Sequence, residues 1–224
     1  MESPTSGSML LAGLLLKFGT MGFLRFVGSI YFLNFYLGFL VVLLGVIICS
    51  FVCIVQRDSK SLVAYSSVVH IRFLLLIILV LSTFTKRGSL IIILSHGYVS
   101  TIIFFYVGEF YLRRITRIFY FMGGIFFSNF LFCYFFSFFI LLNSGAPPSL
   151  SFLSDFLGVV LVVNYYFLIS VLIFIYFLFS FYYCLFVLVN IFLGRAFLSI
   201  SYLSIILSLS FFYMNFNIIW FIIF

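Results

Sequence analysis

Five side chains in this sequence could hold or pass a charge in places where charge is expensive: Lys17, Lys60, His70, His96 and Asp155. Each lies in, or at the edge of, a long apolar run. An ionisable group at bilayer depth costs a few kcal/mol or more, so it is kept where it acts or is paired. Ammonium, imidazole and carboxyl groups take up and release protons, and histidine does so near neutral pH. The chemistry this set supports is proton passage. No glycine-rich phosphate loop, no Cys/His metal spacing and no serine–histidine–acid set accompanies it in the sequence.

Lys17 stands in "SGSMLLAGLLLKFGTMGFLRF", about 11 residues and hence about 16 Å into the first apolar run. That depth is too great for the side chain to reach the near surface. Gly19 and Gly22 predict a helix break just after it. Freed backbone groups at a break are tolerated only where they face protein or a water-filled cavity. A lysine at a discontinuous helix suits a proton or ion path; a structural lysine paired with a carboxylate on another helix is the other reading.

Lys60 opens "KSLVAYSSVVHIRF". With Ala64, Ser67 and His70 it predicts a polar stripe about 15 Å long on one helix face, which Ser67 could bridge. Against a relay stands a plainer reading, with Lys60 as an interfacial anchor and His70 as a core histidine whose ring is satisfied. His96 lies in "LSHGYVST", where Gly97 permits close approach of another helix. Asp155 follows "NSGAPPSLSFLS"; Pro147 and Pro148 suit a helix start, which puts the carboxyl about two turns in. It is a proton site or the partner of a lysine. Glu109 precedes Arg113 by four residues, the spacing of an interfacial ion pair. Arg72, beside His70, must face the bundle interior or a polar loop.

Composition places these groups in lipid. Apolar residues make up 67% of the 224-residue chain and charged residues 7%, against about 25% charged in a globular domain. There is too little polar surface for a water-exposed sphere. The runs last about 20 residues without the alternation of a barrel strand. We therefore expect an all-α, polytopic transmembrane bundle, a single membrane domain over residues 1–224. Eight segments are expected, at 5–30, 33–55, 62–84, 89–110, 118–142, 147–164, 166–190 and 196–224. The separators are short: "QRDSK", "TKRG", "YLRRITR", "NSGAPPS" and "GR". Basic residues divide evenly between alternate loops, so orientation stays open. The net charge of +7 lies in these loops and reads as headgroup contact, with no nucleic-acid partner expected. Cys49, Cys53, Cys133 and Cys184 all fall inside apolar runs and read as buried packing.

The order of these motifs resembles subunit 4 of mitochondrial NADH:ubiquinone oxidoreductase (respiratory complex I). "ESPTSGSMLLAGLLLKFGTMGFLR" is similar to the start of that family's broken lysine helix. "RDSKSLVAYSSVVH", "LSHGYVST", "YLRRITR" and "NSGAPPSLSFLSDF" follow in register, covering most of residues 1 to about 160. The resemblance implies an antiporter-like fold with discontinuous helices in the mitochondrial inner membrane. It implies that Lys17 is a central protonatable site and that Lys60 belongs to the same chain of sites. His70 and His96 would connect half-channels, and Asp155 would stand where the family usually has glutamate. It further implies other membrane-arm subunits and the lipid bilayer as partners. No cofactor is expected on this chain, since NADH and ubiquinone are used by the complex. Several spans would precede this stretch in the family, one bearing a glutamate that pairs with the lysine, so the chain corresponds to a C-terminal portion. A stand-alone cation/proton antiporter and a structural membrane scaffold are the alternatives.

Overall fold

The computed structural model describes residues 4–27, 35–80, 83–114, 118, 130–165, 169–192 and 204–223. They form helices, in keeping with a chain that must satisfy every backbone group internally in lipid. The first span is α1 (Thr5–Leu10), a π-helical turn (Leu11–Leu15) and α2 (Leu16–Phe26). Then come α3 (Phe35–Val55), α4 (Ser59–Ile78), α5 (Thr83–Arg114), α6 (Phe130–Asn143), α7 (Leu150–Tyr165), α8 (Ser170–Phe192) and α9 (Ser204–Ile223). Five of the spans are long and apolar enough to cross a membrane, while α6, α7 and α9 contribute shorter apolar segments.

α4 and α5 form the centre. Their most apolar stretches are 67% and 72% buried, against 33% for α3 and α8. α3 packs along α4, α7 along α5, and α8 closes against α3 and α6. Each outer helix divides into an inner and a lipid-facing side although both are apolar. In α3, Phe39, Leu43, Val46, Cys49 and Cys53 face inward, whereas Leu40, Leu44, Ile48 and Phe51 are exposed. All four cysteines are buried and free.

Three boundaries differ from the sequence expectation. "TKRG" lies inside the helix, because α5 begins at Thr83 with Thr85 buried and Lys86 and Arg87 exposed. A charged cluster at a helix end can turn outward without interrupting the backbone ladder. Lys60 sits within the first turn of α4 and not ahead of it. α7 begins after the prolines: Pro147–Pro148 is a cis bond, and Ser149 caps the helix by accepting from the Phe152 N–H at 3.0 Å. The expected span 118–142 is described at Ile118 and from Phe130 onward, and residues 119–129 lie outside the described set.

The break in the lysine helix also falls elsewhere. α2 runs unbroken through Gly19 and Gly22, which face open space. The irregularity is the π-turn before Lys17, where Gly13 packs so closely on Thr101 of α5 that a β-carbon would overlap it. A π-turn widens the helix by one residue and is often found at functional sites.

Candidate functional site

Lys17 follows the π-turn by two residues, and its side chain points inward across α5. A β-carbon on Gly97 would lie 3.7 Å from Lys17 Cε and 3.8 Å from the Gly13 carbonyl oxygen. The stem of the lysine therefore lies over a residue of α5 that offers no side chain, directly beside His96. Nζ is buried and has no hydrogen-bond partner among the described residues. Thr20 Oγ1 donates to the Lys17 carbonyl at 3.0 Å, which ties down the backbone next to the π-turn.

His70 of α4 and His96 of α5 meet in the core, 5% and 6% exposed. Their ring centroids are 4.7 Å apart with an interplanar angle of 31°. Nε2 of each ring is buried without a partner among the described residues, while His70 also interacts with the Asn143 backbone at the end of α6. Lys17 lies near enough to act electrostatically on both rings.

Beyond the rings is a cavity of about 10 Å³ walled by His70, Ser95, His96, Asn143, Ser151 and Asp155, with Ile92, Val99 and Leu142. That volume is close to the least that admits one water. Asp155 enters it from the sixth position of α7. The turn between α6 and α7 brings the carboxyl there. Gly145 has φ +78° and closes α6: its N–H donates to the Leu142 carbonyl at 3.2 Å, and Ala146 N–H donates to the Leu141 carbonyl at 3.1 Å. This is the glycine-dependent C-cap of a helix. Asp155 Oδ2 lies 3.0 Å from the point where a β-carbon of Gly145 would stand. Ser151 Oγ is paired with Ser149 Oγ at 2.8 Å and donates to the Leu142 carbonyl at 2.6 Å, fastening α7 to the end of α6.

The structure thus brings together Lys17, His70, His96 and Asp155. Lys60 is buried, 7% exposed, but stands ten residues before His70, about 15 Å along α4. The serines between them are turned into their own helix. Ser67 Oγ donates to the Ala64 carbonyl at 2.7 Å and Ser66 Oγ to the Val63 carbonyl at 2.9 Å. Ser67 does not bridge Lys60 to His70 in this arrangement. Arg72 finds a specific place: Nη1 donates to the Gly45 carbonyl of α3 at 2.7 Å, and a β-carbon at Gly45 would overlap it. Glu109 lies in α5, while the side chain of its expected partner Arg113 falls outside the described residues.

Two residues of the site escaped the sequence reading. Asn143 walls the histidine cavity, and Asn217 of α9 is fully buried. Asn217 Oδ1 accepts from Tyr98 Oη at 2.6 Å and from the Leu150 N–H at 3.3 Å, joining α5, α7 and α9. The asparagines at 215 and 217 in an otherwise apolar tail are the signal that could have found Asn217, whereas Asn143 reads as part of the "NSGAPPS" separator. Outside the bundle core, Lys17 also borders an open groove of about 700 Å³ between the first span, α5 and α9, lined by Leu14, Phe18, Tyr98 and Phe216 among others.

Residues 1–180 match the family model described as NADH:quinone oxidoreductase/Mrp antiporter, transmembrane. NADH-ubiquinone oxidoreductase chain 4 of Caenorhabditis elegans is 51% identical over 156 residues, which is 70% of this chain and 38% of that protein. The Ascaris suum chain 4 is 39% identical over 219 residues, 98% of this chain and 54% of its own length. This chain spans about half the length of these relatives or less. Among solved structures, an archaeal membrane-bound sulfane sulfur reductase shares the fold with a TM-score of 0.90 at 13% identity, covering 98% of this chain and 46% of that one. Respiratory complex I from Thermus thermophilus superposes with a TM-score of 0.81 at 18% identity, covering 89% and 44%. A Mrp complex from Dietzia gives 0.75 at 17%, covering 87% and 37%.

Proposed function

The chain belongs to the NADH:quinone oxidoreductase/Mrp antiporter transmembrane family, and on that premise we propose that it translocates protons as a membrane-arm subunit of mitochondrial NADH:ubiquinone oxidoreductase. The observation that carries this reading is the juxtaposition of Lys17, the His70–His96 pair and Asp155 around a cavity of water size. A buried ammonium with no partner is expensive. Such a group is well suited to giving up its proton when charge arrives nearby and to taking it back when that charge leaves.

The path we propose runs from Lys17 to the neighbouring imidazoles and on to Asp155. Nε2 of each ring has no partner among the described residues, and a neutral imidazole can accept at one nitrogen while the other stays bonded. A water in the cavity would link the rings to the carboxyl. Lys60 would serve at the α4 end as a further site. The relatives named chain 4 support assignment to complex I and to the mitochondrial inner membrane, with other membrane-arm subunits as neighbours. NADH oxidation and ubiquinone reduction would take place elsewhere in the complex. The groove beside Lys17 offers room for the carboxylate-bearing span that the resemblance implies.

The test is Lys17→Met in the assembled complex in coupled membrane vesicles. Pumped protons per electron should fall sharply while assembly is kept; full pumping would overturn the assignment and favour a scaffold whose charges merely pair helices. The Mrp likeness favours one second reading, a cation/proton antiporter. Sodium- or potassium-driven proton exchange by the purified protein in proteoliposomes would support it.

A further inference from the structure

α8 carries three inward-facing hydroxyls that the path above does not use. Tyr176, Ser180 and Tyr183 are 1%, 2% and 1% exposed. Their spacing of four and then three residues aligns them on one helix face over about 10 Å. The opposite face is ordinary lipid-facing surface, with Phe174, Leu178, Phe181 and Tyr182 exposed. Tyrosine in a membrane helix commonly turns its polar tip toward the interface. Tyr176 and Tyr183 bury theirs, and neither hydroxyl has a hydrogen-bond partner among the described residues. Ser180 lies between them, near both and short of hydrogen-bond geometry with either. Such groups are costly to leave dry.

The two ends of this row lead to the site already described. The Tyr176 ring stacks on Phe73, centroids 5.2 Å apart, one turn beyond His70 on α4, and Tyr176 lies within electrostatic range of Asp155. Tyr183 borders a separate cavity of about 20 Å³, whose polar points are Ser66, Asn143, Tyr183 and Cys184 in otherwise apolar walls. That is room for one water. Asn143 walls both cavities. The row thus runs from Tyr183, at the cavity that Asn143 shares with Ser66, to Tyr176 on the Asp155 side of the bundle.

We propose that Tyr176, Ser180 and Tyr183, bridged by water, form a second hydrogen-bonding lane that moves protons between Asp155 and the Ser66 side of α4, alongside the histidine pair. Each hydroxyl accepts a proton on a lone pair as it releases its own to the next oxygen. No tyrosinate accumulates and nothing is oxidised. The lane rests on the proposed proton-translocating function.

Tyr176→Phe and Tyr183→Phe, singly and together, remove the hydroxyls and keep the rings and their packing. They are to be measured in the assembled complex beside Tyr182→Phe and Lys17→Met. The lane predicts a loss of pumped protons per electron in the double variant, with Tyr182→Phe like wild type. It also predicts that the infrared carboxyl stretch of Asp155 shifts in Tyr176→Phe, a change that altered packing elsewhere would not produce. Unchanged pumping in the double variant with Lys17→Met impaired would overturn the lane alone. Unchanged pumping in both would overturn the function beneath it, and the lane with it. Should the double variant assemble poorly, high-resolution imaging of the unaltered complex decides: water density beside Tyr183 supports the lane, and an empty cavity overturns it.

Discussion

His70 on α4 and His96 on α5 lie ring against ring, centroids 4.7 Å apart and planes inclined by 31°. Two imidazoles this close cannot both be charged without strong repulsion, so a proton placed on one affects the other. The pair therefore acts as a unit. His96→Leu should abolish or strongly reduce pumping and leave assembly intact, and His70→Leu should do the same. The two losses together should be no greater than either alone. Proton-to-electron ratios in the single and double variants check this.

Gly97 sets the distance between Lys17 and the pair. The β-carbon of alanine would meet Lys17 Cε at 3.7 Å and the Gly13 carbonyl oxygen at 3.8 Å, which is ordinary contact. Gly97→Ala should assemble and pump. Gly97→Leu carries three further carbons past those contacts and should displace the lysine stem or part α5 from the π-turn. Pumping by the two variants at matched assembly distinguishes steric exclusion from a general dislike of substitution.

Arg72 and Gly45 are a matched pair across α3 and α4. Arg72→Met removes a hydrogen bond from a charged donor, and a loss of about 1.5–3 kcal/mol of stability is expected. Gly45→Ala should cost no more than that, because its β-carbon meets the flexible end of the arginine and pushes the guanidinium off the carbonyl. The double variant should be less impaired than the sum of the two, since the collision goes with the arginine. Thermal unfolding in detergent measures all three.

Asn217 holds the start of α7 through Leu150 and holds α5 through Tyr98. Asn217→Leu leaves the buried Leu150 N–H unanswered, at a cost of about 1–3 kcal/mol, and frees the half-buried Tyr98 hydroxyl. Faster amide hydrogen exchange in the first turn of α7, beside Asp155, is the expected sign.

Gly145 combines φ +78° with a neighbouring carboxylate oxygen. Alanine there would carry a backbone cost of about 1 kcal/mol or more, and its methyl group would press on Asp155 Oδ2. Gly145→Ala should lower both stability and pumping. Asn at this position tolerates the left-handed backbone but still crowds the carboxyl, so Gly145→Asn should recover stability more than pumping.

Much of this molecule is legible without coordinates. Long apolar runs with short polar separators predict membrane helices because lipid leaves the backbone few other choices. Lysine, histidine and aspartate within those runs are conspicuous because they are expensive there. Other features were hidden for physical reasons. Gly19 and Gly22 predict the break near Lys17, yet the irregularity is a π-turn at Leu11–Leu15; a π-turn needs one surplus residue and no particular side chain. Arg72 reads as an anomaly until the Gly45 carbonyl is seen facing it. Tyr176, Ser180 and Tyr183 have helical spacing, but aromatic residues occur on every face of α8.

That last point separates the two sources of information. The sequence by itself determined the class of protein and the side chains able to hold a proton, since both follow from transfer costs that each residue carries anywhere in a membrane. It could not determine which of those side chains meet. In water, an amphipathic helix declares its inner face by polarity; here the lipid-facing and buried faces are equally apolar. Only the packing of α2, α4, α5 and α7 decided that Lys17 lies over Gly97, that His70 lies on His96, and that Asp155 closes the cavity beyond them while Lys60 stands apart.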